Sequence, residues 1–338
     1  MTYSIFLSPD VLVVRFSSIG DVLLTTPLLR AIRTKWPGAR VTVLTKRKYV
    51  PLVSDNPNVT EVFGIAPQDT ARSMARQIRT IRYTHILDLQ GGLRTAPLRW
   101  LARGPWSGFS HRRVARELLI RYKHNTYAEH VPVPERYFEA ARGLDVRPDG
   151  APPEFFIGQA ASDWARRWLD EQGLGRRPFA ALAPGAAHFT KRWPLERWRA
   201  AAERLNERGL SLVTVGGADD RSLGEALVPL ARNAAGGSSL QQTGALLAQA
   251  RLVVSGDTGV MHMATGVGTP VVALFGPTVR QFGFFPYQGR AEVLERPLDC
   301  RPCSVMGGAS CPMGHHRCLV DIQADDVVGA AQRLGLVA

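Results

Sequence analysis

No cysteine occurs before Cys300, and all four lie between Cys300 and Cys318. That clustering excludes a secreted fold stapled along its length by disulfides. Long apolar runs are missing too. The longest stretches, such as residues 270–275, have strand length, and none approaches the roughly 20 residues that span a bilayer. The opening MTYSIFLSPD lacks the basic start and apolar run of a signal peptide. A cytoplasmic protein is expected, touching at most a membrane surface. The glycine fingerprint GxGxxG and the P-loop GxxxxGK[ST] are both absent. The first absence weakens a nicotinamide dehydrogenase, and the second removes a P-loop nucleotidase.

Acidic residues are the scarcer charge: 29 Asp+Glu face 42 Lys+Arg, a formal net of +13. Residues 1–150 hold 23 Lys/Arg against 12 Asp/Glu, and so carry nearly all of the excess. Such a half attracts anionic partners: a phosphorylated lipid, an anionic membrane face or nucleic acid. No nucleic-acid module or aromatic-basic platform accompanies the charge, so nucleic acid is not the expected partner.

What is present is a repeated strand–helix rhythm. Residues 11–16 (VLVVRF), 41–44, 59–63 and 85–89 read as strands. Helical patterns follow at 22–35 and 71–82. The rhythm restarts with strands at 179–183, 210–215, 252–255 and 271–275. Its helices fall at 195–208, 222–231, 239–248, 260–266 and 324–334. Strands alternating with helices imply doubly wound parallel sheets. The fold class is therefore α/β, with two Rossmann-like domains. We place the first at 1–160, a connection at 161–178 and the second at 179–338. The second carries the Cys-rich loop 300–318 and a terminal helix.

Four loops at strand ends carry polar groups suited to chemistry. Ligands bind at the carboxyl ends of strands in such sheets. Ser17-Ser18-Ile19-Gly20-Asp21 follows the first strand; Asp21 either caps the next helix or acts on a ligand. The segment 183–194 (APGAAHFTKRWP) sets Thr190, Lys191 and Arg192 before a helix, a suitable diphosphate site. The segment 254–264 (VSGDTGVMHMA) offers the N–H groups of Thr258, Gly259 and Val260 at a helix start, with His262 one turn on. Gly276-Pro277-Thr278 follows the next strand on the same sheet edge.

The set SSIGDVLLTTPLLRAIR, DLQGGLR, PGAAHFTKRWPLERW and SGDTGVMHMATGVGTPVVALFGPT resembles the ADP-heptose:lipopolysaccharide heptosyltransferase family, glycosyltransferase family 9. Order and spacing agree over nearly the whole chain. The resemblance implies the GT-B fold, two Rossmann-like domains facing a cleft. It implies inverting, metal-independent transfer of heptose from ADP-heptose to an inner-core acceptor of the phosphorylated lipid A/Kdo type. The acceptor lies on the N-terminal domain and the donor on the C-terminal one, at the cytoplasmic face of the inner membrane. Asp21 then matches the catalytic aspartate, which takes the acceptor hydroxyl proton. Lys191 matches the lysine on the diphosphate, where a cation stabilises the leaving ADP. Thr190, Asp257, Thr258, Gly259, Val260, His262, Gly276, Pro277 and Thr278 would close on the donor. Asp219 or Asp220 would meet the ribose. Ser18, Gly20, Asp88, Gln90 and Arg94 would face the acceptor. The enzyme rival is a GT-B transferase with another nucleotide sugar or acceptor; the non-enzyme rival is a binding module that has lost catalysis.

Cys300, Cys303, Cys311 and Cys318 supply four thiols within one loop. They suit a structural zinc or iron, with His315 and His316 as alternative ligands. Reduced thiols packed in the loop, or a disulfide, are the other readings. No metal or other cofactor is expected in the sugar transfer itself.

Overall fold

The computed structural model describes residues 8–127, 129–175 and 177–337. Residues 1–7, most of the stretch behind the signal-peptide reading, lie outside it. Contacts divide the chain into two units: Met1–His111 with Val133–Phe156, and Arg112–Pro132 with Ile157–Ala338. The division falls at 156/157, and the segment 112–132 groups with the second unit.

In the first unit the strands are β1 (Asp10–Val14), β2 (Arg40–Lys46), β3 (Glu61–Ile65), β4 (His85–Asp88) and β5 (Trp106–Gly108). They pair in parallel in the order β3-β2-β1-β4-β5. Val11 sits opposite Val41 on one side and His85 on the other. The strands read as near-continuous apolar runs because helices cover both faces of a parallel sheet. Between them run α1 (Ile19–Leu23), α2 (Thr26–Lys35), α3 (Ala71–Ile78) and α4 (Ala96–Ala102). The helix α5 (Arg113–Tyr122) belongs to the second unit, and α6 (Val133–Arg136) returns to the first. Leu12, Val14, Leu44, Phe63 and Ile86 of the sheet meet Ile78 and Leu98 in one core.

The single helix expected over 22–35 is two. Pro27 has no N–H to continue the ladder. Around the break the Thr25 and Thr26 hydroxyls donate to the carbonyls of Val22 and Leu23, both at 2.7 Å. The basic helix expected to Arg82 stops at Ile78. Its start is fixed by a reciprocal cap, Thr70 Oγ1 accepting from Ser73 N at 3.2 Å and Ser73 Oγ from Thr70 N at 3.0 Å.

After α5 the second unit resumes with α7 (Gln159–Glu171) and continues through β6 (Phe179–Ala183), α8 (Leu195–Glu207), β7 (Ser211–Thr214), α9 (Arg221–Glu225) and β8 (Arg232–Asn233). It then runs α10 (Leu240–Gln249), β9 (Leu252–Gly256), α11 (Gly259–Gly266), β10 (Val271–Leu274), β11 (Ala291–Leu294), α12 (Arg317–Val320) and α13 (Ala324–Arg333). All neighbouring strands are parallel, in the order β11-β10-β9-β6-β7-β8. Counted from β6, that is the 3-2-1-4-5-6 order of a dinucleotide-binding sheet read backwards. Leu182, Val254 and Leu274 meet Trp198, Leu205 and Val327 in its core. The helix expected over 222–231 ends at Glu225, ahead of Pro229, which cannot donate into a helix.

Each sheet reverses direction beside its first strand, between β1 and β4 and between β6 and β9. Crevices at such switch points are where open α/β sheets hold ligands. The loops after those four strands carry most of the residues singled out by sequence.

Candidate functional site

In the first unit, Ser17–Asp21 leaves the carboxyl end of β1. Asp21 lies in the first turn of α1, and its Oδ2 accepts from Ser18 N and Ser18 Oγ, each at 2.9 Å. Its other oxygen pairs with Arg15. Arg15 is buried, and its guanidinium also donates to the Leu89 carbonyl beyond β4. Burial works against the Arg15 charge, but Tyr137, Asp21 and Asp88 outweigh it and raise the pKa, so the guanidinium stays charged. One side chain thus ties the loop after β1 to the loop after β4. Phe16 N donates to Gln90 Oε1 at 3.1 Å and makes a second tie. Three donors occupy the Asp21 carboxylate. About four lone-pair sites exist on such a group, so these donors leave one acceptor position over.

The neighbouring residues have distinct jobs. Ser18 is exposed and Gly20 buried. Asp88, expected to face an acceptor, is only 2% exposed. Its Oδ1 accepts from Gln90 N at 3.1 Å and Gly91 N at 2.8 Å, and its Oδ2 accepts from Thr95 Oγ1 at 2.7 Å. Asp88 therefore shapes the turn from within, with its carboxylate turned to that loop. Gln90 likewise spends its side-chain carbonyl on Phe16. Gly91 has φ 65°, and a Cβ there would overlap His111 Nε2 at 2.1 Å, so this turn requires glycine. Beyond it Arg94 is exposed.

In the second unit the loops after β6, β9 and β10 converge on one cluster. Lys191 Nζ lies 2.6 Å from Asp257 Oδ2, with both side chains largely buried. The same oxygen accepts from Thr278 Oγ1 at 2.7 Å. An ammonium, a carboxylate and a hydroxyl, each from a different strand end, are thereby held together. Thr258 caps α11 with extended backbone, and its hydroxyl meets Ser255 Oγ at 3.1 Å. The first N–H groups of α11, at Gly259 and Val260, lie in half-exposed residues. They have no partner within the helix, which makes that end attractive to phosphate oxygens. His262 is buried one turn further in. Gly276, Pro277 and Thr278 are buried as well; a Cβ on Gly276 would meet Leu319 Cγ at 2.8 Å and Thr190 O at 3.1 Å.

Two expectations change in detail. Thr190 was expected to offer its hydroxyl to the donor. It is buried, and its Oγ1 accepts from Gly308 N at 2.8 Å. Thr190 N in turn donates to Gly308 O at 3.2 Å. Thr190 therefore fixes the loop that presents Lys191. The choice between Asp219 and Asp220 is also narrowed. Asp219 is exposed. Asp220 accepts from Gly217 N at 2.9 Å, and its carboxylate occupies the place a Cβ on Gly185 would take. Only Asp220 is thus seated on the loop after β6.

The family model of glycosyltransferase family 9 (heptosyltransferase) matches residues 71–313 of this chain. The chain belongs to glycosyltransferase family 9. Lipopolysaccharide heptosyltransferase 1 of Pseudomonas aeruginosa is 28% identical to it, with 93% of this chain and 92% of that protein aligned. The crystal structure of the glycosyl transferase family 9 protein from Veillonella parvula superposes with a TM-score of 0.79 at 24% identity, covering 97% of this chain and 98% of that one. The E. coli heptosyltransferase WaaC with ADP-2-deoxy-2-fluoro heptose superposes with a TM-score of 0.69 at 21% identity, covering 96% and 99%. These likenesses establish the GT-B type of fold for the family 9 chain, and membership makes it a glycosyltransferase.

Sequence reasoning passed over Arg15, because a lone arginine inside VLVVRF reads as a strand end. It also passed over Arg301 in the Cys-rich loop. That guanidinium donates to the carbonyls of Gly276 and Arg296, to that of Thr278 at 2.8 Å, and pairs with Glu295 at 2.7 Å. Cys303 N adds a bond to Pro277 O at 3.2 Å. Farther along, His316 Nε2 lies 3.1 Å from Thr190 O. The Cys-rich loop thus braces two of the three strand-end loops that meet at Lys191.

The four cysteines are all unpaired thiols. Burial and the neighbouring thiols push Cys318 up to about 11 and raise Cys303 as well. Cys300 Sγ lies 3.9 Å from His315 Nε2. Among the described residues no three His, Cys, Asp or Glu side chains stand where one metal ion could be held. His316, an alternative ligand by sequence, points at Thr190 instead.

The charge asymmetry between sequence halves does not survive as an asymmetry between units. With 112–132 regrouped, the first unit holds 18 Lys/Arg against 11 Asp/Glu and the second 24 against 18. The excess is shared almost equally.

Proposed function

We propose that this family 9 enzyme transfers heptose from ADP-heptose to a sugar of a lipopolysaccharide inner core, with inversion and without a catalytic metal. The observation that carries the reading is the Lys191–Asp257–Thr278 cluster at the switch point of the second sheet. A buried ammonium beside the free N–H groups of α11 suits a diphosphate leaving group, and it does so without a divalent ion. The names of the aligned relatives supply the sugar and the acceptor class: the P. aeruginosa protein is a lipopolysaccharide heptosyltransferase, and WaaC was solved with a fluorinated ADP-heptose. Asp21, held by Arg15 and Ser18, is the base that takes the acceptor hydroxyl proton as that oxygen attacks the anomeric carbon. Arg94, exposed beyond the Asp88 turn, is the acceptor contact kept from the first unit. Asp220 is assigned to the ribose in preference to Asp219.

The reaction takes place at the cytoplasmic face of the membrane that carries the acceptor. No helix among the described residues is long and apolar enough to cross a membrane. A structural zinc or iron at Cys300, Cys303, Cys311 and Cys318 stays within the proposal on donor chemistry alone, since the thiols must draw together to bind it. Product analysis tests the chemistry. Proton NMR of the transferred heptose should show the anomeric configuration opposite to that of the donor, and turnover should survive EDTA. Retained configuration, or activity lost with EDTA and restored by magnesium, would defeat this reading.

A further inference from the structure

The helix α4 has an outward face that its fold leaves apolar. Thr95, Leu98 and Ala102 point into the core. On the opposite side of the helix Pro97 and Trp100 are exposed, and Leu93 is exposed in the tight turn of residues 92–94 that leads into it. Leu93 is 93% and Trp100 78% exposed. A surface helix normally turns polar residues outward, so two large apolar side chains exposed on the helix and on the turn that leads into it need a partner. Arginines flank them: Arg94 before the helix, Arg99 beside Trp100, and Arg103 at its end, all exposed. From residue 89 to residue 111 the chain has these three arginines and no acidic residue. The basic helix α3 packs against α4 and adds the exposed Arg72 and Arg76.

From this arrangement we infer that the α4 face docks the enzyme on an anionic lipid surface. A tryptophan and a leucine ringed by arginines match the layering of a bilayer interface, with acyl chains below and anionic headgroups around. A second copy of the chain is the weaker occupant. Three side chains of this size offer a few hundred Å², well below the roughly 1,200 Å² that stable association buries. The position also fits the task. Leu93 adjoins Arg94 in the loop after β4, so a lipid-borne acceptor would reach that loop from the surface on which the helix rests. In this respect the inference rests on the proposed acceptor class.

The test is co-sedimentation with vesicles of phosphatidylethanolamine and phosphatidylglycerol, against neutral phosphatidylcholine vesicles, with no acceptor present. The full chain should bind the anionic vesicles, and binding should fade with salt. The double variant Leu93→Ser/Trp100→Ala should bind at least tenfold more weakly. Its melting temperature and its rate on a water-soluble, delipidated acceptor should stay at wild-type levels, because neither side chain is buried or in the proposed reaction site. Three results would overturn the inference: no binding by the wild type, equal binding by the variant, or a dimer that the variant converts to monomer while vesicle binding persists. A wrong acceptor class would show separately, as absent turnover on core acceptors with vesicle binding intact.

Discussion

At Asp21 a structural role and the proposed chemical one are superimposed. The carboxylate caps α1 through Ser18 N and neutralises the buried Arg15. Removing one partner of a buried ion pair costs about 3–5 kcal/mol, so Asp21→Ala would confound stability with chemistry. Asp21→Asn keeps an oxygen for Arg15 and is the informative change. It should leave ADP affinity, measured by calorimetry, nearly unchanged while lowering turnover about 10²–10⁴-fold, the range of a lost general base. Near-wild-type turnover would reduce Asp21 to a helix cap. Lys191→Ala is expected to behave differently, raising the donor KM and lowering kcat together, since the proposed role has the ammonium serve both bound diphosphate and departing ADP. An unchanged donor KM would move the diphosphate elsewhere. Asp21, Lys191, Asp257 and Thr278 were legible from their motifs. Arg15 and Arg301 were not, because their partners are backbone carbonyls and carboxylates brought close only by the fold.

Among the elements, the Cys-rich loop departs most from its sequence reading. Its thiols drew attention, whereas the structure shows its arginine and glycine holding the loops after β10 and β6. Arg301→Met would leave the carbonyls of Gly276, Thr278 and Arg296 and the Glu295 carboxylate short of a donor. Unsatisfied buried groups cost about 1–3 kcal/mol each, so a lower melting temperature is expected. The donor KM should rise severalfold with the acceptor KM unchanged; equal changes in both would mean a global defect instead of a brace on the Gly276–Thr278 turn. Metal content separates the readings of the thiols. Plasma mass spectrometry should find about one zinc or iron per chain, reduced together with thermal stability in Cys303→Ser. Metal-free protein with four titratable thiols would withdraw the metal and leave the brace intact. The long helices and apolar strands were legible in the periodicity. The break between α1 and α2 was not, because leucines on both sides of Pro27 continue one stripe while the backbone restarts. Strands as short as β5 and β8 carry too few residues to show a period.

For the whole molecule, the two rounds of strand and helix were readable because the inner strands β1, β6, β9 and β10 are covered on both faces and so buried almost throughout. The boundary was less so. Residues 112–132 follow the first sheet in sequence yet cluster with the second unit, a choice made by long-range contacts that local pattern does not record. That regrouping removes the charge asymmetry as an argument for where an anionic acceptor lies, and leaves the argument to Asp21, Arg94 and the α4 face. The central claim concerns one reaction, and one measurement tests it most directly: ADP release from ADP-L-glycero-D-manno-heptose by the purified full chain, with and without a defined lipopolysaccharide inner-core acceptor. The account predicts release that requires the acceptor, transfers one heptose for each ADP formed and falls about 10²–10⁴-fold in Asp21→Asn. Release that ignores the acceptor and Asp21, or no release from ADP-heptose with any core acceptor while another nucleotide sugar is turned over, would contradict it.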